Sequence, residues 1–130
     1  IRGTIGDREG DNLTPMEVVR FTSAFTLWLK NQDRASAVKV VVGRDARPSG
    51  EMVWHIVSGT LRAMGVDVVN LELATTPTVE MAVVGEQAQG GIIITASHNP
   101  VEWNALKLLN RYKLSMTNKD SIDRIQNVVY

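Results

Sequence analysis

Val38-Lys39-Val40-Val41-Val42 carries one polar side chain in five residues, and the polar stretch Gly43-Arg44-Asp45-Ala46-Arg47-Pro48-Ser49-Gly50 follows at once. A nearly continuous β-branched run describes a strand covered on both faces, which is the condition of a parallel sheet. Parallel strands need long crossovers, usually helices. The rest of the chain supplies them. Val53, Ile56, Val57, Leu61 and Met64 form the inner stripe of a helix starting at Ser49, and Gly65 suits its C′ position. Val66 to Leu71 is the next strand. Thr75-Thr76-Pro77 starts another helix, running to about Gln87 with Val79, Ala82 and Val83 inward. Upstream, Thr14 can cap a helix in which Pro15 takes the first position and Glu17 completes a capping box. Val18, Phe21, Phe25 and Leu29 continue it at helical spacing, to an end near Asn31.

Ile92 to Ile94 forms a third buried strand. Ala105 to Leu109 is a further apolar run, and nine residues separate it from Thr95. That is too short for a parallel crossover, so this strand returns antiparallel. Arg2-Gly3 precedes a short strand or hairpin, and Ile122, Ile125 and Val128 or Val129 mark an amphipathic C-terminal helix. The expected fold class is α/β. It is a three-layer α/β/α sandwich with a mixed, mostly parallel four-stranded sheet and one antiparallel strand.

At 130 residues and 44% apolar content the chain forms one globular domain, residues 1–130. Lysine plus arginine equals aspartate plus glutamate, 14 each, so bulk charge supports neither a nucleic-acid nor an anionic-membrane partner. The absence of cysteine excludes disulfides and thiol chemistry and is compatible with the cytoplasm. No apolar stretch approaches the ~20 residues that span a bilayer. The chain opens Ile1-Arg2-Gly3-Thr4, without an initiator methionine, and is expected to be part of a longer protein.

Candidate chemistry concentrates in Thr95-Ala96-Ser97-His98-Asn99-Pro100, just past a buried strand. In open α/β sheets ligands bind in the crevice outside the carboxyl ends of the strands. Ser97 there is a candidate carrier of a phosphoryl or acyl group. A Ser-Asn-Pro turn whose hydroxyl and amide cap the backbone is the alternative. The elbow glycines of a Gly-x-Ser-x-Gly hydrolase are replaced by Thr95 and Asn99. Gly90-Gly91 belongs to no phosphate loop and is expected to make a tight turn into the strand. Lys107, between Leu106 and Leu108, is either a solvated strand residue or a cation aimed at phosphate oxygens near Ser97. Arg44 and Arg47 could hold a phosphate together, with a structural Arg–Asp pair favoured for Asp45. His55 is expected as a surface or packing residue, and Trp28, Trp54 and Trp103 in packing roles.

Several of these segments together resemble one family, the α-D-phosphohexomutases (phosphoglucomutase, phosphomannomutase and relatives). Ile1-Arg2-Gly3 resembles its opening motif, and Val42 to Gly50 its Gly-Arg-Asp-x-Arg-x-Ser-Gly loop. Thr75-Thr76-Pro77-Thr78 is similar to its threonine-proline helix start, and Thr95 to Pro100 to its phosphoserine loop. Asn104 and Lys107 fall at the spacing of the family's following asparagine and lysine. Ala105 stands where the family usually has glycine, and alanine disfavours a left-handed backbone, so either the loop exit, and with it the placement of Lys107, differs or the returning strand is more regular.

The resemblance implies the first, phosphoserine-bearing domain of a four-domain enzyme. It also implies interconversion of hexose 1-phosphate and 6-phosphate through a sugar bisphosphate. Ser97 carries the phosphoryl group and, through it, supplies one ligand to Mg²⁺. Lys107 and Arg2 offset charge, and His98 shuttles a proton or binds phosphate. Asn99, Arg44 and Asn104 contact substrate phosphate or shape the loop. The implied partners are the hexose phosphate, the remaining domains of the same chain and a sugar bisphosphate activator, with no nucleic acid and no membrane. Sugar choice and most metal ligands lie in the other domains, so this piece alone is expected to be inactive. Two other classes remain: a Ser97–His98 phosphatase or esterase, and a non-catalytic binding module.

Overall fold

The computed structural model describes residues 1–32, 37–111, 123 and 127. Thr14 Oγ1 accepts the Glu17 amide at 3.2 Å and starts helix α1, Pro15–Gln32. It is preceded by strands β1, Arg2–Ile5, and β2, Asn12–Leu13. After it come β3, Lys39–Arg44, and α2, Gly50–Ala63, which ends at Gly65 with φ +77°. Strand β4, Asp67–Leu73, leads to α3, Thr76–Gly85, whose first turn is capped by Thr75. Strands β5, Gly90–Ile94, and β6, Trp103–Asn110, complete the described fold. Ile122, Ile125, Val128 and Val129, expected to mark a C-terminal helix, lie outside the described residues.

Among the described residues the sheet has six strands in the order β2-β1-β6-β5-β3-β4, rather than the four expected. The added strands are β1 and β2. They are too short to announce themselves by an apolar run, and β1 is recruited by pairing antiparallel with β6. Strand β6 is the one antiparallel member. It pairs with β5 through Ile93↔Lys107 and with β1 through Arg2↔Ala105.

Right-handed crossovers fix the layers. The path from β3 through α2 to β4 moves one way across the sheet. The path from β4 through α3 back to β5 moves the other way, so α2 and α3 cover opposite faces. Helices α1 and α2 pack over Val40, Val42, Ile92, Ile94 and Leu106. Helix α3 packs over Val41, Ile93 and Leu109 through Val79 and Val83. The reversal falls between β3 and β5, which makes their carboxyl ends the switch point of the sheet.

Gly90-Gly91 does not form a turn; both are strand residues. A Cβ on Gly90 would stand 2.9 Å from the Phe25 ring, and one on Gly91 would stand 2.8 Å from Val83. Missing side chains there let α1 and α3 approach the sheet. Among the described residues no helix is long and apolar enough to cross a membrane.

Candidate active site

Strand β5 is buried along its whole length and delivers Thr95 and Ser97 to the switch-point edge. Thr95 N donates to Ala105 O at 3.1 Å, so β6 holds the start of the loop. Ser97 then turns left-handed, with φ 54°. For a residue with a Cβ this conformation costs roughly 1–2 kcal/mol, and surrounding contacts must hold it. Three hydrogen bonds do so. Ser97 N donates to Thr95 Oγ1 at 3.0 Å, and Arg47 Nη2 donates to Ser97 O at 3.2 Å. Asn99 N closes the turn onto Ala96 O at 3.1 Å.

The left-handed turn sends the Ser97 side chain outward. It is exposed, and its Oγ accepts a hydrogen bond from Lys107 Nζ at 2.8 Å. Lys107 reaches it from β6 because its direct partner is Ile93, on the α3 face. Arg2 shares that face. It lies opposite Ala105, two residues before Lys107, so the two cations are diagonal neighbours across β1 and β6. Arg2 is exposed. Ala105 sits in a regular strand with no positive φ, so alanine leaves the loop exit unperturbed and Lys107 on Ser97.

The other candidates separate. His98 is exposed and forms no hydrogen bond among the described residues, so it is not held against Ser97 Oγ as a hydrolase base would be. Asn99 is half-buried within the turn. Asn104 is fully buried and points to the α2 side, where Nδ2 donates to Ser49 Oγ at 2.9 Å. Its Oδ1 accepts the Ala105 amide at 2.8 Å, so both ends of this side chain serve the loop's frame. Arg44 is half-buried beside a hollow of about 380 Å³ lined also by Asp45, Thr75 and Thr95, at the same sheet edge but away from Ser97 Oγ.

Arg47 does not offer its guanidinium to a phosphate. Nη1 donates to Trp103 O at 2.5 Å and Pro100 O at 3.4 Å, and Nε donates to Asp45 Oδ2 at 2.9 Å. Its side chain is only 9% exposed. Asp45 accepts Thr95 Oγ1–H at 2.6 Å as well. Burial pushes the Asp45 carboxyl up, but hydrogen bonds from Thr95 and Arg47, together with the Arg47 charge, outweigh it and hold the group below its ordinary value. In the sequence Thr95 belongs to the loop motif but carries no individual role. Its signal was a hydroxyl directly after three isoleucines, where a buried polar group needs a partner.

Residues 1–129 match the family model described as phosphoglucomutase/phosphomannomutase, alpha/beta/alpha domain I. The chain belongs to the phosphoglucomutase/phosphomannomutase family. It is 41% identical over 109 residues to a phosphoglucomutase/phosphomannomutase of Thermococcus kodakarensis, a match covering 82% of this chain and 24% of that protein. It is 35% identical over 129 residues to the phosphoglucosamine mutase of Helicobacter pylori strain Shi470, covering 96% of this chain and 28% of that one. A crystal structure of a phosphoglucomutase/phosphomannomutase family protein from Burkholderia thailandensis superimposes with a TM-score of 0.80 at 28% identity, over 99% of this chain and 28% of that one. The chain thus spans about a quarter of the length of these family members.

Proposed function

We propose that this chain is the phosphoserine-bearing first domain of a phosphohexomutase, and that Ser97 exchanges a phosphoryl group with a hexose phosphate. The observation that carries the reading is the exposed Ser97 Oγ, turned left-handed at the sheet's carboxyl edge, with Lys107 Nζ 2.8 Å away. Membership of the family supports it.

In the first half-reaction the bond between Ser97 Oγ and phosphorus breaks, and a sugar hydroxyl oxygen bonds to phosphorus. The hydroxyl loses its proton, and Ser97 Oγ keeps the electron pair of the broken bond and takes up a proton. Lys107, as an ammonium already donating to Oγ, supplies that proton and stabilises the charge developing there. A guanidinium offers fixed N–H donors and no acceptor, so Arg2 adds electrostatic stabilisation but no proton transfer. His98 is exposed beside Ser97, where an imidazole can accept the sugar proton. The sugar bisphosphate then presents its other phosphate to Ser97 and the steps run in reverse. A serine ester suits the resting state because phosphate monoesters hydrolyse extremely slowly without a catalyst.

Phosphorylated Ser97 offers hard oxygen atoms that fit Mg²⁺. Among the described residues no three His, Asp or Glu side chains converge on a possible ion. The chain spans about a quarter of its relatives' length, and the remaining ligands would come from other parts of a longer protein. When bound, Mg²⁺ offsets phosphate charge as a Lewis acid. The remaining domains are accordingly partners of this one, and the 130-residue chain alone is inactive.

The test uses the full-length protein that carries this domain, incubated with hexose phosphate labelled in its phosphate and examined by intact mass and fragmentation. Label appears on Ser97 and exchanges with substrate. Ser97→Ala lowers kcat by more than about 10³-fold, and the 130-residue chain alone shows no interconversion. Undiminished turnover by Ser97→Ala overturns the reading.

A further inference from the structure

The Ser97 loop is clamped by groups distant in sequence, and the clamp has a direction. Thr95 has one hydroxyl proton and gives it to Asp45 Oδ2 at 2.6 Å. An ionised carboxylate only accepts, so it dictates which way that hydroxyl points. The Thr95 oxygen is left to accept from Ser97 N at 3.0 Å. Arg47 closes the circuit. It holds Asp45 through Nε and its own amide, the latter at 3.2 Å from Oδ1. Its two terminal nitrogens hold the carbonyls of Ser97, Pro100 and Trp103. The Ser97 amide is therefore fixed by Thr95 at the start of the loop, itself anchored on Asp45, and the Ser97 carbonyl by Arg47 from the loop after β3.

We propose that Thr95, Asp45 and Arg47 are positioning residues for phosphoryl transfer, which aim Ser97 Oγ at Lys107 by holding the left-handed turn. None of the three touches the reacting oxygen. The proposal rests on the phosphoserine reading above and assigns these side chains a part in the rate. A misplacement of about 1 Å at a reacting atom is enough to cost ~10²-fold. Without the clamp, a residue with a Cβ relaxes toward negative φ and carries its hydroxyl away from Lys107 Nζ. Arginine is specific to this task, since a lysine ammonium cannot reach three carbonyls and a carboxylate in one plane.

The experiment compares Thr95→Val, Thr95→Ser and Arg47→Lys in the full-length enzyme, with Ser97→Ala as reference. Thr95→Val keeps the shape and loses the hydroxyl. It is expected to lower kcat by about 10–100-fold with KM for the hexose phosphate within about twofold. Thr95→Ser restores the hydroxyl and is expected to return kcat to within about threefold of the parent. Arg47→Lys is expected to follow Thr95→Val. In ³¹P spectra, the phosphoserine signal of Thr95→Val shifts toward that of unstructured phosphoserine, and that of Thr95→Ser stays at the parent position. Circular dichroism confirms folding of each variant, and Arg47→Lys carries the test if Thr95→Val does not fold. Parent-like kcat in Thr95→Val and Arg47→Lys, or equal losses in Thr95→Val and Thr95→Ser, overturn the clamp while Ser97→Ala remains inactive. Activity in Ser97→Ala instead overturns the phosphoserine reading beneath it.

Discussion

Ser97 is a residue whose backbone and side chain have opposing preferences. Its φ of 54° suits glycine, yet the hydroxyl that Lys107 engages requires a side chain. Comparing two substitutions separates these demands. Ser97→Ala and Ser97→Gly both remove the hydroxyl, but only glycine relieves the left-handed strain. After its greater unfolded-state entropy is subtracted, Ser97→Gly is expected to be more stable than Ser97→Ala by about 0.5–1 kcal/mol. Urea unfolding of the two variants measures this. Equal midpoints would show that the turn stores no strain. On the phosphoserine reading, neither variant is expected to take up phosphate. Asn104 shows which of two expected roles a side chain can fill in this domain, since its contacts are those of a loop-shaping residue. It has the spacing of a site residue, and it is buried and bonded to Ser49 and Ala105.

At the scale of elements, local patterns transmitted most of their content. Helix starts at Thr14 and Thr75, and the helix end at Gly65, depend on neighbours within one turn, and so they were legible. The glycine pair was misjudged because its purpose is a distance between layers, which no neighbouring residue reveals. Gly91 meets Val83 and Val79 from α3, and Gly90 meets Phe25 and Leu29 from α1. Gly91→Ala is expected to destabilise the domain by about 1–3 kcal/mol, because the new methyl must push a packed helix off the sheet. A denaturant midpoint equal to that of the parent would contradict this packing. An exposed glycine such as Gly59, with open space around its Cβ, provides the control.

At the scale of the whole molecule, the clamp joins the loop after β3 to the loop after β5, and its strength depends on the charge of Asp45. The carboxyl is depressed in the folded protein, so its contribution to stability is fully present above the unfolded value of ~4. That contribution is lost as pH falls through the lower, folded value. Stability should therefore be independent of this group from pH 5 upward and decline below about pH 4. Asp45→Asn should flatten that acid limb relative to the parent, and an unchanged limb would remove Asp45 from the linkage. The sequence alone determined the alternation of strands and helices, the antiparallel return of β6 and the delivery of Ser97 to the sheet's carboxyl edge. Each follows from apolar period, connection length and turn chemistry, all of which are local. Only tertiary structure decided that β1 and β2 extend the sheet, that Lys107 rather than His98 meets Ser97 Oγ, and that Arg47 binds backbone carbonyls. These outcomes depend on strand register and on pairs such as Thr95 and Asp45, 50 residues apart, whose meeting is set by how the layers close.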